Sequence, residues 1–180
     1  MPEAANDDEI LLAEALYAAR AALEESPIST DRLGVAELMQ FLGRPDAQLT
    51  AAQQRALFAS PRVRAEYRHL KSRFAGLDLP ALAAASSGQV SARQFPGGSV
   101  HIHPSRVEDQ IYVLVRIWEG ETAPHAILLE GASGEIVKRP LPALDVKGEI
   151  MLILDRRDPR DEAFLRLICD PTATGSLLKP

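Results

Sequence analysis

Residues 111–118 read Ile111-Tyr112-Val113-Leu114-Val115-Arg116-Ile117-Trp118, β-branched, aliphatic and aromatic residues broken by one arginine. That composition suits a strand packed against a core. Further short apolar runs follow at Ala126–Glu130, Glu135–Arg139, Glu149–Leu154 and Phe164–Cys169. Gly131-Ala132-Ser133-Gly134 between two of them reads as a hairpin loop, and Asp155–Asp161 as a polar turn. No segment between the runs has the length of a crossover helix, so the expectation is an antiparallel β-sandwich or small barrel and not a parallel sheet.

On the other side of residue 111 the composition changes. Residues 1–85 hold 20 alanines and residues 86–180 hold 7, which places helix formers first and strand formers second. Asn6 with Asp7, Asp8 and Glu9 reads as a helix start, followed by Leu12, Leu16, Ala19 and Leu23 as one apolar stripe. A second helix is expected over Asp31–Leu42, with Leu33, Leu38, Met39 and Leu42 inward and Gly43 as its stop. Thr50-Ala51-Ala52-Gln53 is a capping box for a third, and Ser60-Pro61 opens a fourth whose buried face is Val63, Tyr67, Leu70 and Phe74. The predicted architecture is therefore α+β in two segregated domains: an N-terminal four-helix bundle over 1–76, a linker over 77–98 and an antiparallel β-sandwich over 99–180.

Composition narrows the function. Twenty Lys and Arg against 25 Asp and Glu give a net charge of −5, which disfavours nucleic acid or an anionic membrane as the direct partner. A lone Cys169 excludes an internal disulfide and a thiolate cluster, and with the acidic start MPEAANDDEI it points to a reducing cytoplasm. Cys169 itself reads as a buried, inert thiol, since no base stands near it in the sequence. No phosphate-binding glycine loop, nucleophile elbow or His-Glu-x-x-His is found. No catalytic residue and no cofactor are expected.

Two constellations remain. His101-Ile102-His103 puts two imidazoles on one face of a strand, and with Glu108 and His125 it would supply metal ligands. That spacing resembles the first metal motif of the cupins, which implies a metal-dependent enzyme as the alternative function. The same pair also reads as two exposed histidines beside Pro104. The second constellation is charge: Arg55, Arg62, Arg64, Arg68, Lys71 and Arg73 face only Glu66 over that stretch, a local excess of +5 in an acidic protein. Guanidinium groups flanking an apolar stripe pair well with carboxylates of a partner protein.

Phe41-Leu42-Gly43-Arg44, Gln48-Leu49-Thr50-Ala51-Ala52-Gln53-Gln54 and Ala56–Tyr67, within residues 8–75, resemble the helical domain of bacterial anti-sigma factors. The zinc motif of many members, His-x-x-x-Cys-x-x-Cys, has no counterpart among Arg55–Arg64, so the resemblance is to the zinc-less branch, without redox sensing through metal release. It implies a non-catalytic transcription regulator that masks a sigma factor. Leu12, Leu16, Leu38, Leu42, Tyr67 and Phe74 would share their apolar faces with the partner, and Arg62, Arg64, Arg68 and Lys71 would add charge. The β domain would dock a second protein or sense a signal.

Overall fold

A computed structural model describes residues 33–82 and 90–180 of the chain, and Leu33–Pro180 form one compact unit. The helix expected around Leu12 and Leu16 lies outside the described residues. Among the described residues three helices come first: α1 (Val35–Gly43), α2 (Ala51–Ala59) and α3 (Pro61–Phe74). Their starts follow the local chemistry. The Thr50 hydroxyl accepts from the Gln53 amide while the Gln53 side chain returns to Thr50, and the Ser60 hydroxyl accepts from Val63 N–H with Pro61 in the first turn.

Eight strands and one more helix follow among the described residues. β1 (Ala75–Leu79), β8 (Thr174–Leu178), β5 (Ala126–Glu130) and β6 (Ile136–Pro140) form a first antiparallel sheet in that order. β2 (Ala92–Phe95), β3 (Gly98–Pro104), β4 (Gln110–Ile117) and β7 (Glu149–Asp155) form a second. Their inner faces share one core, in which Val113, Val115 and Ile150 meet Ile127, Leu129 and Leu177. Phe164 and Ile168 of α4 (Pro159–Cys169) join it.

The expected segregation into a four-helix bundle and a separate sandwich is corrected by the second core. Leu38 and Leu42 of α1, Leu57 of α2 and Tyr67 and Leu70 of α3 pack with Ala126, Leu128, Ile136 and Leu178 of the first sheet. The helices are a layer on that sheet, and among the described residues there is no N-terminal four-helix bundle. β5 explains why: Ala126 and Leu128 face the helices while Ile127 and Leu129 face the second sheet. A strand buried on both faces needs a third layer, which short amphipathic helices supply.

Two element assignments are corrected as well. Residues 164–169 are helical, because Asp158 caps the amide of Arg160, Pro159 stands in the first turn, and Asp161 and Glu162 lie at the positive end of the helix dipole. The stretch expected as a linker holds the end of β1 and all of β2; Pro96-Gly97, with Gly97 at φ +94°, turns β2 into β3. Among the described residues no helix is long and apolar enough to cross a membrane.

Candidate functional site

α3 carries the site. Its apolar stripe lies on the first sheet, so the remaining positions turn its cations outward: Arg62, Arg68 and Arg73 are exposed and Arg64 is half-buried. Arg62 pairs with Glu66 one turn on, at 3.1 Å. Lys71 Nζ donates to Glu130 Oε2 and Tyr67 Oη donates to Glu130 Oε1, each at 2.5 Å, tying α3 to the end of β5. Burial, reinforced by the Glu130 charge, pushes the Tyr67 phenol well above its usual range, so it stays a donor. Arg55, Arg64, Arg68 and Arg73 have no carboxylate partner among the described residues.

Beside this face is a cavity of about 360 Å³. Arg64, Arg68 and Lys71 form its cationic wall, Phe58 and Ile136 its apolar floor, and the β5–β6 turn its far side. Arg64 donates from Nη2 to the Phe58 carbonyl at 2.5 Å, and its Nε is buried with no partner among the described residues. A second hollow of about 410 Å³ shares Arg68 and Lys71 and continues toward Asp78 and Thr174. Together they make a groove along α3 suited to carboxylates carried on an apolar backbone or side-chain stem.

The other expected site residues are dispersed. Leu38, Leu42 and Tyr67 are buried between the helices and the first sheet, and Phe74 is partly buried there, so these side chains are spent on the internal core. His101 and His103 sit on the outer face of the second sheet, their rings stacked at 6.1 Å and 10°. Glu108 is exposed in the β3–β4 loop. His125 lies just before β5, away from the second sheet; its amide donates to the Leu178 carbonyl and burial lowers the basicity of its ring. Among the described residues no group of three or more His, Cys, Asp or Glu is placed to hold a metal. Cys169 ends α4, half-buried, with its thiol pushed up by desolvation.

Sequence reasoning missed Glu130, the anion that organises the cationic face; the available signal was an acid terminating the run Ala126–Leu129. It also missed Lys138, 3% exposed on β6, whose ammonium donates to the carbonyls of Phe41 and Arg44 at the end of α1. Lys138 lies 4.4 Å over the Phe41 ring as well. No family model, curated protein or solved structure matches this chain.

Proposed function

We propose that the chain is a non-catalytic regulatory protein that binds and masks an acidic segment of a partner protein along the basic face of α3. One observation carries this reading: Arg64 and Arg68, two arginines without carboxylate partners among the described residues, line a groove with an apolar floor. Arg68 offers a planar fork to a carboxylate and Arg64, held by the Phe58 carbonyl, adds its charge, while the groove wall removes part of the competing water. Glu130 holds Lys71 and Tyr67 in place and leaves Arg64 and Arg68 as the contacts open to a ligand. The partner meets charge on α3, because the apolar faces of α1 to α3 are already covered.

The resemblance at residues 41–67 makes a sigma factor the first partner to test. Binding of the full chain to the purified sigma factors of its own host is expected to be micromolar or tighter. Arg64→Glu with Arg68→Glu should weaken it by at least about tenfold, the equivalent of roughly 1.4 kcal/mol. Absence of binding to all of them, or binding that ignores the charge reversal, overturns the proposal.

A further inference from the structure

Two carboxylates stand beside α3 on the helix-covered face of the first sheet. On β5, Ala126 and Leu128 face the helices and Glu130 continues that face. On β1, Leu77 and Leu79 pack into the core between the sheets, so Asp78 points the other way, toward α3. β8 lies between these strands, with Thr174 opposite Glu130 and Ser176 opposite Asp78. Both oxygens of Glu130 are occupied, by Lys71 and Tyr67. Asp78 is exposed and accepts from the buried Ser176 hydroxyl at 2.9 Å, and it has no basic partner among the described residues.

The hollow of about 410 Å³ that Asp78 lines is also lined by Arg68, which has no carboxylate partner among the described residues. One hollow therefore presents a cation and an anion that do not pair with each other. Arg68, Lys71 and Thr174 belong to both hollows, which puts the cationic end of the groove near Glu130 and Asp78 at the opposite end. Strands about 4.8 Å apart and an offset of two residues along β8 separate the Glu130 and Asp78 positions by about 12 Å.

We infer that the segment bound along α3 carries a basic side chain as well as an acidic one, the acid held by Arg68 and the base by Asp78. This rests on the reading of α3 as the partner-binding face. An extended chain advances about 3.3 Å per residue, so a span of about 12 Å sets the two charges roughly three or four residues apart. An apolar side chain on the far side of the acid reaches the floor of Phe58 and Ile136. Ser176 fixes Oδ1 of Asp78 and leaves Oδ2 for an ammonium or guanidinium group. A wholly acidic segment brings a carboxylate against Asp78 instead, and that repulsion lets the groove choose among acidic partners.

Selection on the full chain from a displayed library of random peptides, each about twelve residues long, tests the inference. Peptides recovered on the wild type should be enriched in Asp or Glu with Lys or Arg roughly three or four positions away. Arg68→Glu should abolish the enrichment in acids. Asp78→Lys should keep the acids and lose the bases. Asp78→Asn, which still offers an acceptor to Ser176, should lose most of the preference for bases, and circular dichroism of each variant should match the wild type. In a synthetic copy of one recovered peptide, replacing its base by glutamate should weaken binding to the wild type at least about tenfold and strengthen binding to Asp78→Lys. Acid-rich peptides with no preference for a base, or a preference that survives both Asp78 changes, overturn the inference and leave α3 as an acid-binding face. Recovery of no peptide, or of peptides whose binding ignores Arg68→Glu, overturns both readings.

Discussion

Replacing Arg93 by methionine tests how the unit is held together. Arg93 is 2% exposed on the inner side of β2, opposite Val100 of β3. Its guanidinium donates to the carbonyls of Ile168 at 3.0 Å, Ala173 at 2.8 Å and Pro80 at 3.5 Å, and to that of Asp170. It therefore closes the C-terminal end of α4 and pins the turn into β8 to the second sheet. Burial lowers its pKa, and Asp170 opposes that shift, so the group remains a cation. Methionine fills much of the space and donates nothing. A hydrogen bond from a charged donor contributes about 1.5–3 kcal/mol, and removing the charge recovers part of the cost of burying it. The balance is a loss of about 3–4 kcal/mol, or a fall in melting temperature of roughly 6–15 °C for a chain of this size. Urea unfolding, followed by far-ultraviolet circular dichroism and Trp118 fluorescence, reads it directly. Arg93→Lys keeps the charge without the planar fork and should lose roughly half as much. A loss below about 1 kcal/mol for Arg93→Met would refute the argument that the four carbonyls depend on this side chain.

Lys138 gives a pH dependence. Its pKa is lowered from 10.5 to about 8, burial being the cause, with the Asp46 charge opposing it. Between those values the unfolded chain keeps a proton that the folded chain has released, so this group makes stability rise with pH, by up to about 1.4 kcal/mol per unit. The stability difference between wild type and Lys138→Met should climb through that window, and a flat difference would count against it. Gly134 sits at φ +90° with its Cβ position 2.9 Å from the Phe58 ring, so Gly134→Ala should cost about 1–2 kcal/mol in a melting experiment and move the cavity wall. Glu130→Gln removes the anion from the groove, so titration calorimetry should record several-fold tighter binding of an acidic partner, with some loss of stability from the weakened Tyr67 and Lys71 contacts.

Much of the local structure was legible in the sequence. The strand at 111–118, the capping box at Thr50 and the Ser60-Pro61 start of α3 depend on residues within a few positions of one another, and propensity and capping report on such neighbours. What periodicity cannot say is which surface an apolar stripe meets. Leu38, Leu42, Tyr67 and Leu70 form the faces that spacing implies, yet they close on Leu128 and Leu178, far along the chain. The unbroken run Ala126–Leu129 held the missing hint, since a strand apolar at successive positions is buried on both sides. At 164–169 a strand reading competed with Asp158-Pro159 and Asp161-Glu162, and the helix-start chemistry won. Arg93 and Lys138 look like surface cations in sequence; only the fold brings backbone carbonyls to them. Of the candidate site, the basic run was visible, while Glu130 and the groove depended on the sheet.

The basic face of α3 is the centre of the functional account, and hydrogen exchange of the full chain with and without a bound sigma factor tests it most directly. Protection on binding is expected to concentrate in residues 55–73 and in the 131–134 turn. Protection that falls elsewhere while 55–73 exchange as in the free protein would contradict the account.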